Sequence, residues 1–150
     1  MAENIFFDTG SYRSYIHSDL AKSLNFHLDK AEKISIDTFN SNRSKIIKSW
    51  TAEIFIHSKI VSIRAKFNTI NEICNISPGI SRYRKIVERH DITDLSYTEI
   101  NHCFDKIDVL IGSDLCWELI KSINRLDDKV FLLNTQIGKV ITGKINEPRA

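Results

Sequence analysis

Between Lys33 and Phe67 apolar side chains recur at every second position, and that period restricts the middle of the chain to strands with one buried face. Ile34, Ile36 and Thr38 share one side of the first run. Ala52, Ile54 and Ile56 share one side of the second, and Val61, Ile63, Ala65 and Phe67 lie opposite Ser62, Arg64 and Lys66 in the third. The polar stretch Asn40 to Ser44 and the break at His57 to Lys59 supply turns, so the middle third reads as consecutive antiparallel strands with short connections.

The flanks follow different rules. Ile5 to Phe7 predicts a short buried strand, ended by the turn-formers Asp8, Thr9 and Gly10. A short helix follows, with Ser18 as its cap, Leu20 and Leu24 on one face and Asn25 as a left-handed stop. Far along the chain Val109 to Ile111 is a second buried strand, running into Gly112 and then into a capped short helix around Leu115 to Ile120. The segment KVFLLNTQIGKVITG closes the fold as two short strands divided near Gly138. Residues 77–106 open with Ser77-Pro78-Gly79, and Tyr83, Ile86, Val87 and His90 keep helical spacing there. This reads as a partly helical insertion, with Arg82, Arg84, Lys85 and Arg89 on its solvated face. The whole predicts one mainly β domain over residues 1–150, with two or three short helices.

Composition removes several classes of function. Twenty-one Lys and Arg against nineteen Asp and Glu leave a net charge of +2, which gives no field for holding a polyanion, so nucleic acid is not expected as a partner. Trp50 and Trp117 are accordingly read as core anchors rather than base-stacking platforms. No apolar run reaches the roughly 20 residues of a membrane span and no signal peptide precedes Ile5, so the chain reads as intracellular and without membrane attachment, or as a piece cut from something longer. Cys74, Cys103 and Cys116 form no C-x-x-C, and the five histidines show no H-x-x-x-H or H-E-x-x-H spacing, so neither a disulfide framework nor a metal site is expected. No serine or cysteine sits in a nucleophile elbow, and no cofactor is implied.

The remaining chemistry gathers at Asp8. An apolar strand that ends in Asp-Thr-Gly sets a carboxylate at the edge of a core, where desolvation and neighbours govern its protonation. Gly10 permits a tight turn beside it, and Gly112 permits close backbone approach from the second strand. Two readings stand at this point: Asp8 as the cap of a type I turn, or Asp8 as half of a catalytic pair. Asp114 is placed to cap the following helix and tie down the Gly112 loop, with simple exposure as the alternative. Phe7 to Ser11 is also similar to the phosphate loops of actin-like and sugar-kinase ATPases, but those need two large lobes that 150 residues cannot supply.

Order and spacing of several motifs carry a more specific likeness. After the acid motif come GSYRSYI and SDLAKSLNF, then ISIDTF, and much later IDVLIGSD, Trp117 and LNTQIGKVITG. In this, nearly all of residues 5–143 resembles the retropepsin-like aspartic peptidases, most closely the peptidase domain of Bel/Pao-type retrotransposon polyproteins. The resemblance implies a closed β-barrel of the acid-protease type, active only as a homodimer because each chain brings one Asp-Thr-Gly. It implies Asp8 as the catalytic residue, with Thr9, Gly10, Ser11 and Gly112 supporting its loop, and an extended peptide, the element's own polyprotein, as substrate. The location it implies is the cytoplasm or a retroelement particle. Asn40, Ser41, Asn42 and Arg43 fall at the tip of the hairpin that would close over the substrate as a flap. That tip lacks the usual glycines, Lys139 stands where the pattern has Trp, and only Met1 to Asn4 stand where relatives carry a further strand. The alternative implied by these departures is a domesticated module that keeps the fold for protein interaction or dimerisation and has little activity.

Overall fold

A computed structural model of the chain describes residues 5–37, 42–58, 61–73, 84–92 and 107–143. The described strands fall into three sheets. The largest contains β1 (Ile5–Phe7), β2 (Tyr15–His17), β5 (Thr51–His57), β6 (Ser62–Ile70) and β7 (Val109–Ile111), in the order β1-β7-β2-β6-β5. β3 (Glu32–Ile36) and β4 (Lys45–Ser49) form a separate antiparallel hairpin. β8 (Ile120–Asp127), β9 (Val130–Thr135) and β10 (Gly138–Gly143) make an antiparallel three-stranded sheet. The mainly β expectation holds. The described strands do not join into a closed barrel, because the three sheets share no ladder with one another.

The alternation read in the middle third is what drives β5 and β6 together. Ala52 and Ile54 are buried on one side of β5, while Phe67 is buried on β6 and Ser62, Arg64 and Lys66 are exposed. With Ile16, Leu20, Ala21, Ile111, Leu115, Cys116 and Leu119 these side chains form the main core. Among the described residues there are three short helices: α1 (Ser18–Ser23), α2 (Arg84–Arg89) and α3 (Cys116–Leu119). The predicted stop at Asn25 is observed, with φ 53°. The predicted cap is displaced by one residue, since His17, not Ser18, occupies the N-cap and its Nδ1 accepts from the Asp19 amide. α3 has Leu115 at its N-cap and no side-chain cap, so Asp114 does not perform that task.

Of the stretch 77–106, read in the sequence as a partly helical insertion, the described residues are 84–92. Ile86 and Val87 of α2 pack against Val130, Leu132 and Ile141 as a second apolar cluster, which covers one face of the β8-β9-β10 sheet. Tyr83 and Arg82 lie outside the described residues, whereas Arg84, Lys85 and Arg89 are exposed as expected. The two tryptophans depart from expectation, with Trp50 37% and Trp117 58% exposed. The absence of a polyanion field argued only against nucleic acid and did not require that these rings be buried.

A polar knot fastens the base of the β3–β4 hairpin to the main sheet. The Asn68 side-chain amide donates to Glu32 (2.9 Å) and Ser49 (3.2 Å), and Arg13 donates to Glu32 and to the Asn68 carbonyl, each at 3.1 Å. The Asn68 hydrogen bond, with the Arg13 guanidinium behind it, holds the Glu32 carboxyl below the usual carboxylate range. A lowered folded-state pKa contributes stability that is complete above about pH 4.3 and is lost as pH falls through the folded value. The stability gap between wild type and Glu32→Gln in urea unfolding is therefore expected to be largest near neutral pH and to close in acid. A gap independent of pH contradicts this. Glu32 is exposed, so added salt also narrows the gap.

Candidate active site

β1 and β7 lie side by side in parallel, with Ile5 opposite Val109, Phe6 opposite Leu110 and Phe7 opposite Ile111. Equal register means that the two strands deliver Asp8 and Gly112 to the same end of the sheet, next to each other. β2 pairs antiparallel with the other edge of β7. The chain therefore leaves β1 at Asp8, crosses over the end of β7 and returns as β2. Whatever residue terminates β7 lies directly beneath that crossing.

That geometry explains the glycine. A Cβ built on Gly112 would stand 2.2 Å from the Arg13 carbonyl oxygen and 2.8 Å from that of Ser11. The approach is held by hydrogen bonds: the Asp8 amide donates to the Ile111 carbonyl (2.9 Å) and the Ser113 amide to the Ser11 carbonyl (2.7 Å). Within the loop the Gly10 amide donates to one Asp8 carboxylate oxygen (2.9 Å) and the Ser11 hydroxyl to the other (2.8 Å). Both carboxylate oxygens thus accept a bond from their own loop, while the residue is only half-buried and Thr9 and Gly10 are exposed.

Asp8, Gly10, Ser11 and Gly112 are therefore brought together around one carboxylate. Thr9 faces outward and lines an apolar groove of about 280 Å³ with Phe7, Trp117, Ile123 and Phe131 among its walls. Trp117 and Ile123 there are 58% and 52% exposed. Asn42 and Arg43 are exposed at the outer end of the β3–β4 hairpin, and Asn40 and Ser41 lie outside the described residues.

Ser14 was not singled out in the sequence, yet it is 1% exposed and stands at the centre of the crossing. Its hydroxyl donates to Asp114 (2.6 Å) and accepts from the Gly112 amide (2.9 Å), and its own amide donates to Asp114 (3.2 Å). The one signal available was position: Ser14 falls two residues before Ile16, the buried residue of β2, and so shares its face. Beneath the loop lies Cys116, fully buried. Burial pushes its thiol pKa up, with the Asp114 carboxylate adding to the effect, so it is held as a neutral thiol rather than an activated nucleophile. Among the described residues no group of three His, Cys, Asp or Glu is arranged to hold a metal ion.

A family model described as "Putative peptidase (DUF1758)" matches residues 2–150. No curated protein and no solved structure matches the chain.

Proposed function

From the premise that the chain belongs to the DUF1758 family, whose description is "Putative peptidase", we propose that it is a retrotransposon-type aspartic endopeptidase that works as a homodimer, with Asp8 as the catalytic residue of each subunit. The observation that carries this reading is a half-buried carboxylate, bonded on both oxygens within its own loop and set beside a glycine at the end of a paired strand. Burial, which raises the Cys116 thiol pKa, speaks against that thiol as an alternative nucleophile.

One chain supplies one Asp-Thr-Gly. Two Asp8 carboxyls facing each other across a two-fold axis share a proton, because two like charges at about 3 Å cannot both ionise cheaply. The ionised carboxylate takes a proton from water as that water attacks the scissile carbonyl, and the protonated partner donates to the developing oxyanion. A proton then passes to the leaving amine. Ser11 and Gly10 orient the carboxylate for these transfers. Thr9, exposed next to Asp8, braces the partner's loop, and the apolar side chains of Trp117 and Ile123 beside it offer area for the second subunit. The substrate is an extended peptide, the element's own polyprotein in the first instance, paired as an added strand and covered by the β3–β4 hairpin with Asn40, Ser41, Asn42 and Arg43 at its tip.

The test is cleavage of an unfolded protein between about pH 4 and 6 with and without a statine-type inhibitor. Cleavage that the inhibitor stops supports the reading. The glycine-free hairpin tip favours one rival, a dimerisation module with little activity. A well-folded dimer that leaves the substrate intact identifies that rival.

A further inference from the structure

We infer that Asp114 is a positioning residue for the Asp8 carboxyl, acting through Ser14 rather than by touching the reacting atoms. This rests on the peptidase reading of Asp8. The loop from Asp8 to Ser14 has two ends to secure. The first is fixed by the Asp8 amide on the Ile111 carbonyl. The second is held through its carbonyl by the Asn68 amide (3.0 Å), which leaves the Ser14 amide and hydroxyl to be fixed, and Asp114 accepts both.

The direction of these bonds requires an acceptor at position 114. A serine hydroxyl has one proton to give and lone pairs to receive with. Because the proton goes to Asp114, the lone pairs are left for the Gly112 amide, which is buried under the crossing and has the Ser14 oxygen as its acceptor. Reverse that polarity and the Gly112 amide faces a donor in a place closed to water. A carboxylate accepts at both oxygens, so it alone among similar side chains satisfies the amide and the hydroxyl together. Asp114 is itself exposed, so its charge remains hydrated while its oxygens reach a hydroxyl that is buried. From Ser14 the constraint passes through Gly112 to the Ser11 and Arg13 carbonyls packed on it, and from Ser11 to the Asp8 carboxylate.

The experiment compares the full chain with Asp114→Ala and Asp114→Asn, reading kcat and KM separately and following amide hydrogen exchange. Asp114→Ala is expected to lower kcat by about 10- to 100-fold with KM changed by less than about threefold, since small errors of placement act on the chemical step rather than on peptide pairing. Exchange at Gly112 and Ser14 is expected to quicken at least about tenfold while β5 and β6 keep their protection. Asp114→Asn retains a carbonyl oxygen for the hydroxyl but presents a donor to the Ser14 amide, so it falls between the two. If Asp114→Ala does not fold, Asp114→Asn is read by the same criteria. A kcat within twofold of wild type, or unchanged exchange at Gly112 and Ser14, overturns the assignment. An inactive wild type marks failure of the peptidase reading instead, and the exchange measurement still reports whether Asp114 holds the loop.

Discussion

Gly112→Ala is expected to lower the melting temperature by about 10 °C, the largest effect on stability of any single methyl group added at this site. The added carbon would stand 2.2 Å from the Arg13 carbonyl oxygen, 2.7 Å from its carbonyl carbon and 2.8 Å from the Ser11 carbonyl oxygen. All three are backbone atoms, and the segment that carries them is tied at Asp8 to Ile111 and at Ser14 to Asp114. It cannot retreat without breaking one of those attachments. Overpacking costs about 1 to 3 kcal/mol and occasionally more, and a clash with tethered backbone belongs at the upper end of that range. For a chain of this size each kcal/mol shifts the melting temperature by roughly 2 to 4 °C. Gly10→Ala serves as the comparison, because its added carbon meets only the Asp8 side chain, at 3.2 Å. A thermal scan of Gly112→Ala within about 2 °C of wild type contradicts the packing argument.

Asp8→Asn is expected to reduce peptide cleavage by about 10³-fold or more while leaving the fold in place. Asparagine has the same shape and keeps one carbonyl oxygen, which can accept from the Gly10 amide or from Ser11. The residue is half-buried, so no large apolar contact is lost. What disappears is the ability to exchange a proton with water and with the developing oxyanion, and no other described side chain in the loop carries a carboxylate. Steady-state cleavage and a thermal scan on the same preparation check both halves. Residual cleavage above about a tenth of wild type removes Asp8 from the catalytic role.

The parts of this arrangement that were legible in the sequence are those where local chemistry and long-range packing agree. Ile5 to Phe7 and Val109 to Ile111 both end in turn-forming residues, and their parallel pairing places Asp8 beside Gly112 for the same reason that the glycine is needed. The alternation of Ala52 to Ile56 and Val61 to Phe67 likewise reflects one buried sheet face.

What stayed hidden depended on partners far away in the chain. Ser14 is one small polar residue in a polar stretch, and its importance comes from Asp114, 100 residues later. β8 gave no strand signal because residues 121–125 are all exposed and its pairing with β9 shifts register at two points, which breaks any period-two pattern. The exposure of Trp117 is set by its position in the groove beside Thr9. Its indole alone does not reveal that.

In the proposed homodimer each chain holds half of a reaction centre. The most direct test is cleavage activity per chain measured over a dilution series, with the mass of the protein followed by sedimentation on the same samples. A two-chain centre predicts that activity per chain falls in proportion to concentration once the sedimenting species is the monomer. Constant activity per chain in a solution of monomers contradicts it.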